Sequence, residues 1–236
     1  MHVNFDIDNT LRGSLLTDML THVLRELGGI SMAPLDTILI LLTVIATAVM
    51  AASGSLQGVR QGFDPFGTAV LAVTTAVGGG TVRDFLIGAT PVFWMEDMTY
   101  LLIAIPVSLA AYFVGRRLKE GTGKRDAALQ YLDAIGLGLF TLVGVQAGLD
   151  AQVPFLAAII LGCVTGVVGG MIRDILCGLT PTVLKQDLYA TISLLGGMFY
   201  ILLSNYVRAE ISLVAAFLFI VILRFYVIWR RTKHIE

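Results

Sequence analysis

Charge is scarce in this chain of 236 residues: 16 Lys and Arg and 17 Asp and Glu make up 14% of it, well under the roughly one quarter usual in soluble domains. The formal net charge is −1, so no basic field recommends a nucleic-acid or acidic partner. Cysteine is almost missing. Cys163 and Cys177 lie in or beside an apolar run, which suits packing better than a disulfide or a metal site. Histidine is equally sparse: His2, His22 and His234 fall outside every long apolar stretch, and no nucleophile–base motif or metal-ligand cluster accompanies them. An enzyme is therefore the least expected class, and no cofactor is called for. What fills the sequence instead is apolar, at 56% of residues, more than a soluble core of this size absorbs.

A membrane span needs about 20 mostly apolar residues. Seven stretches come close: Asp36–Gln57, Phe66–Leu86, Met98–Val114, Gln130–Leu149, Val153–Leu176, Leu188–Asn205 and Ile211–Trp229. Short connections such as Arg60–Pro65 and Asp150–Pro154 leave no room for a soluble domain, and the longest connection is the charged stretch Arg116–Asp126. The expectation is an all-α polytopic membrane protein. Before Pro34 the chain is different. Its opening residues are acidic and lack the apolar core of a signal peptide. Leu15, Leu16, Met19, Leu20, Val23, Leu24 and Leu27 then recur at helical spacing, opposite Asp18, His22, Arg25 and Glu26, as in an interfacial amphipathic helix.

Cytoplasmic loops retain Lys and Arg. With seven spans, Arg60, Arg116, Arg117, Lys119, Lys124, Arg125, Lys185, Arg230, Arg231 and Lys233 fall on one side, against Arg12, Arg25 and Arg208 on the other. The amino terminus is thus expected outside and the carboxyl terminus in the cytoplasm.

One phrase occurs twice, GGGTVRDFLIGATP at Gly78–Pro91 and VGGMIRDILCGLTP at Val168–Pro181. At a shift of 90 residues, Gly79, Gly80, Arg83, Asp84, Leu86, Gly88, Thr90, Pro91 and Asp97 all recur, as do Gly54, Gly58, Leu71 and Thr75 further upstream. Each half contributes three spans, and an odd number inverts the second half relative to the first. Inverted repeats commonly place a permeation or binding site where their irregular helices meet near the midplane. The division expected is an amphipathic extension over 1–33, a first three-helix repeat with its basic loop over 34–126, a second repeat over 127–208, and a seventh helix with a basic tail over 209–236.

The chemistry lies inside the second and fifth spans. Gly78, Gly79 and Gly80, matched by Gly169 and Gly170, weaken the helix by about 1 kcal/mol each relative to alanine. Two readings stand: a break that frees backbone carbonyls to ligate cations, or close helix–helix packing by small residues. Thr75 and Thr165 lie one turn earlier, able to ligate an ion or to bond their own helix backbone. Arg83–Asp84 and Arg173–Asp174 follow the glycines, and a charge at mid-membrane costs about 2.5–3.5 kcal/mol unless paired, hydrated or near an interface. Sequence neighbours point to different helix faces, so the partners expected are Asp36 for Arg83 and Asp133 for Arg173. Gly54–Gly58 and Gly144–Gly148 have the small-xxx-small spacing of close helix crossing.

From about Asp36 to Trp229, this paired phrase resembles the TRIC (trimeric intracellular cation) channels, in the bacterial branch whose repeats are called glycine-transporter-like. The resemblance implies seven transmembrane helices arranged three plus three plus one, in the bacterial inner (plasma) membrane. It implies a homotrimer in membrane lipid with a pore in each subunit, permeable to potassium and other monovalent cations. That pore would run between glycine-broken second and fifth helices, with a monovalent cation in the Gly79/Gly169 region. By motif position its residues would be Gly78, Gly79, Gly80, Gly169 and Gly170, with the charged pairs Arg83, Asp84, Arg173 and Asp174. Val168 stands where the first half has Gly78, so the two halves are not identical. A secondary transporter of a small solute such as glycine, or a scaffold whose repeats only pack, fits the same pattern.

Overall fold

The computed structural model describes residues 34–118, 124–185 and 188–233. The chain divides into two compact units, Met1–Thr37 and Ile38–Glu236. Of the first unit, only the opening turn of one helix is described. The amphipathic extension expected over 1–33 lies outside the described residues.

Among the described residues there are nine helices and no strand. In chain order they are α1 (Pro34–Arg60), α2 (Pro65–Ile87), α3 (Phe93–Glu96), α4 (Thr99–Arg117), α5 (Lys124–Asp150), α6 (Phe155–Leu176), α7 (Thr182–Lys185), α8 (Ala190–Ser204) and α9 (Ala209–Lys233). Seven spans were expected. Six helices, α1, α2, α4, α5, α6 and α9, are long and apolar enough to cross a membrane. The remaining long helix, α8, has 15 residues, which at 1.5 Å per residue reaches only about 22 Å. The fourth expected span opened at Gln130, whereas α5 opens at Lys124, because hydropathy registers the apolar core and not the polar turns that continue the helix into water. The short helices α3 and α7 fall between the expected spans.

The helix limits recur at the 90-residue shift seen in the sequence: α1 and α5 begin at 34 and 124 and end at 60 and 150, and α2 and α6 begin at 65 and 155. The turns recur as well. Gly62 and Gln152 both take positive φ, 75° and 57°, in the connections that precede α2 and α6. Gly88 and Gly178 do so after those helices, at 71° and 67°; a left-handed residue there ends a helix without a Cβ clash. Entry to α2 is set by Asp64, whose carboxylate accepts the Gly67 N–H at 2.7 Å, with Pro65 in the first turn.

Helix α6 packs against α5, α2 and α8, while α2 also contacts α4, and α9 lies against α8 and α5. The crossings are close because glycines line them. A Cβ at Gly54 would lie 2.8 Å from Ala72 Cα, and one at Gly144 would lie 2.8 Å from Gly162 Cα. Both small-xxx-small pairs thus serve packing, as expected. Around this seam sit Ala46, Met50, Ala72, Ala76, Ala104, Leu139 and Phe140, all buried. The outward faces are apolar too: Phe66, Phe85, Leu156 and Ile222 are 77%, 80%, 70% and 63% exposed. Side chains of that kind spread over so many helices demand hydrocarbon rather than water.

Candidate functional site

The glycine phrase sits where α2 and α6 cross. A Cβ at Gly79 would overlap the Thr165 carbonyl oxygen, and one at Gly169 would lie 2.5 Å from the Thr75 carbonyl oxygen. Pairing 79 with 165 and 75 with 169 means that one residue number rises as the other falls. The two helices therefore run antiparallel through the seam, with their carboxyl-terminal charged ends on opposite sides of it.

The expected glycine breaks are absent. Both α2 and α6 continue as α-helix through Gly78–Gly80 and Gly169–Gly170, so the carbonyls stay in the helical ladder and none is freed for an ion. The backbone of the neighbouring helix explains this: contact at Gly79 and Gly169 along the whole crossing outweighs about 1 kcal/mol of lost propensity at each glycine. Thr75 and Thr165 also turn inward on their own helices. Each donates its hydroxyl hydrogen to the carbonyl four residues back, Leu71 and Leu161, at 2.6 Å.

Beyond the seam, each helix carries a buried Arg–Asp pair. Arg83 Nε and Nη2 both reach Asp84 Oδ1, at 2.7 and 2.6 Å. Arg173 Nε and Nη2 reach Asp174 Oδ1 at 3.0 and 2.9 Å. Neighbours in sequence do pair, contrary to the expectation from helix faces, because the long arginine stem folds across the 100° offset and presents its edge to one oxygen. The other oxygen of each aspartate has a second task. Asp84 Oδ2 accepts the N–H of Phe93, the first residue of α3, at 2.8 Å. Asp174 Oδ2 accepts the N–H and hydroxyl of Thr182, the first residue of α7, both at 2.9 Å.

The two ends then diverge. At the α2 end, Arg83 lies over the Phe93 ring, 5.4 Å from its centroid, and Trp94 Nε1 donates to Thr81 Oγ1 at 2.9 Å. The Phe93 ring occupies the space that Gly80 leaves open, and a Cβ there would lie 2.5 Å from it. The carboxylate on Arg83 is Asp84; Asp36, its expected partner, is an exposed residue of the first unit. At the α6 end the expected contact exists. Arg173 Nη1 donates to Asp133 Oδ1 at 2.9 Å and also to Ser53 Oγ of α1 at 2.6 Å. The buried Tyr189 hydroxyl donates to Asp133 Oδ2, and Arg224 of α9 stacks 4.4 Å from the Tyr189 ring centroid while donating to the Leu188 carbonyl at 3.2 Å. Gly170 borders this group: a Cβ there would lie 3.3 Å from Asp133 Oδ1. A cavity of about 230 Å³ opens beside it, lined by Arg60, Asp126, Leu129, Gln130, Asp133, Arg173, Thr182 and Arg224, with Arg60 and Asp126 paired at 3.0 Å.

Sequence reasoning missed Ser53, Tyr189, Phe93, Thr182 and Arg224. Only Arg224 carried a signal, an arginine inside an apolar run. The duplication itself conceals the asymmetry, since the positions matching Asp133 and Ser53 are Thr43 and Val143.

Buried charge clusters inside apolar, outward-exposed helices define a polytopic α-helical membrane protein. A family model described as "Glycine transporter" matches residues 40–116 and 130–205. Over 170 residues the chain is 46% identical to a UPF0126 membrane protein of Vibrio cholerae, covering 70% of this chain and 69% of that one. It is 40% identical over 157 residues to the UPF0126 inner membrane protein YadS of Escherichia coli, covering 66% and 74%. Among solved structures, a TRIC trimeric intracellular cation channel orthologue from Rhodobacter sphaeroides superposes with a TM-score of 0.77 at 33% identity, over 82% of this chain and 98% of that one. The chain belongs to the TRIC family, in the branch with glycine-transporter-like repeats.

Proposed function

We propose that this protein is a monovalent-cation channel, permeable to potassium, whose pathway in each subunit follows the α2–α6 pair. The observation that carries this reading is the pair of buried Arg–Asp clusters on either side of one glycine-lined crossing. Ionisable groups held inside a membrane bundle mark ion routes, and like-placed charges at both ends of two antiparallel helices suit a route that crosses the bilayer. The likeness to TRIC cation channels supports it independently. In the conformation described the crossing is tight, so conduction requires α2 and α6 to separate around Gly79 and Gly169. Pairing makes the arginines nearly neutral toward a passing cation, leaving the outer carboxylate surface and water to solvate it.

The same reading takes α8 as the sixth of seven spans, makes the halves 34–126 and 127–208 inverted repeats, and sets 209–236 apart as the seventh helix and tail. It makes the assembly a homotrimer in a bacterial inner membrane. The ten-to-three basic asymmetry directs the amino terminus outward and the carboxyl terminus into the cytoplasm.

The family description favours a second reading, a secondary transporter of a small solute such as glycine. Purified protein in a planar bilayer separates the two. Unitary currents with a reversal potential that follows potassium, and not chloride, support the channel. Silent bilayers together with saturable glycine uptake into proteoliposomes would replace it by the transporter.

A further inference from the structure

The α8 helix is short, and its partner is not. Arg224 of α9 donates to the Leu188 carbonyl, which sets that turn of α9 level with the start of α8. From Arg224, α9 continues to Lys233, about 13 Å further at 1.5 Å per residue. An apolar groove of about 750 Å³ lies between the two helices and runs past that step. Leu188, Ile192 and Leu195 form one wall, and Leu223 and Val227 lie on the other. At the α9 end the groove stops being apolar: Arg230 and Arg231, both exposed, line it there. Arg230 lies 6.0 Å from the centroid of the half-exposed Tyr226 ring, which itself packs 6.2 Å from the Trp229 ring. Aromatic rings at this position are the usual markers of the headgroup level, where one end of the ring is apolar and the other wet.

We propose that this groove is a binding site for one anionic phospholipid, with an acyl chain along Leu188, Ile192, Leu195, Leu223 and Val227 and the phosphate between Arg230 and Arg231. Two observations choose this occupant. The walls are wholly aliphatic over the membrane-embedded part, so a chain of hydrocarbon fills them without stranding a polar group. The mouth carries two adjacent cations and no carboxylate among its lining residues, so a headgroup whose phosphate lacks a compensating amine is favoured over a zwitterionic one. The short α8 supplies the reason for a fixed lipid: a helix below bilayer thickness either thins the membrane or has its deficit covered, and the outer part of the groove, from Val227 to Arg231, lies beyond the start of α8. The site is separate from the Arg173 cluster and does not depend on the cation pathway.

Native mass spectrometry of the full-length protein in detergent tests it, with phosphatidylglycerol and phosphatidylcholine of identical chains as probes. Phosphatidylglycerol should bind at one tight site per subunit. Arg230→Gln with Arg231→Gln should weaken it roughly thirtyfold, about one lipid-attracting charge twice over, and leave phosphatidylcholine unaffected. Leu195→Trp, which fills the groove from a side chain already half exposed, should reduce retention of both lipids without changing the melting temperature in lipid-free detergent. Millimolar inorganic phosphate should not compete. Equal retention of the two lipids by parent and double variant would overturn the proposal. So would competition by phosphate alone, or a change of oligomer mass in Leu195→Trp, which would assign the groove to a second copy.

Discussion

Alanine at two glycines of the same phrase should have opposite effects, and the sign follows from what each new methyl meets. At Gly78 the nearest atom to a Cβ is Ile172 Cδ1 at 2.7 Å, the free end of a side chain that can rotate away. At Gly169 it is the Thr75 carbonyl oxygen at 2.5 Å, part of the backbone of the facing helix. Relieving that second contact requires α2 and α6 to part by roughly 1 Å along their crossing. Replacing glycine by alanine in a helix gains about 0.5–1 kcal/mol, whereas overpacking a close contact costs about 1–3 kcal/mol. Gly78→Ala should therefore be neutral or slightly stabilising, and Gly169→Ala should lose about 1–2 kcal/mol. Thermal melts of the detergent-purified protein, followed by size exclusion to score intact oligomer, give the order directly. If Gly169→Ala melts at or above Gly78→Ala, the crossing is not tight and the unbroken helices need another explanation.

Three further outcomes are expected. Asp84→Asn and Asp174→Asn should each lower potassium conductance in planar bilayers, because each leaves a buried arginine without its full counter-charge; parent-like currents from correctly assembled variants would remove these residues from the pathway. Gly144→Leu should disrupt folding or assembly more than selectivity, since a Cβ there already meets Thr165 Cβ at 2.7 Å and Gly162 Cα at 2.8 Å; a correctly sized variant with altered selectivity would reassign that pair. In a background lacking Cys163 and Cys177, Tyr206→Cys, 85% exposed between α8 and α9, should react with an impermeant thiol reagent added to intact cells, and labelling only after lysis would reverse the orientation.

The helical membrane class and the 90-residue register were legible because both are periodic: apolar length marks the spans and the doubled phrase marks the turns. The Asp133–Arg173 contact was legible from topology, since it needed only two charges near the same end of adjacent helices. The Asp36–Arg83 expectation applied the same reasoning to the other half and did not see that Asp84 satisfies Arg83 locally. The glycine breaks failed for an energetic reason. Propensity is a property of one residue, about 1 kcal/mol, while the α2–α6 contact is shared by a whole crossing and is invisible in either helix alone. Ser53, Tyr189 and Thr182 carry no motif; each is an ordinary residue that joins the charged cluster only through a partner 120, 56 or 8 positions away.

Asp84 and Asp174 each divide their two oxygens between an arginine on one side and the start of a short helix on the other. An asparagine in the same place offers a single acceptor, so it must either hold the guanidinium or hold α3 or α7, and cannot hold both. Charge and shape at these two points are therefore one degree of freedom. Anything that displaces the arginine acts on the same carboxylate that pins the adjoining turn, so an electrostatic event at the carboxyl-terminal end of α2 or of α6 is also a mechanical one.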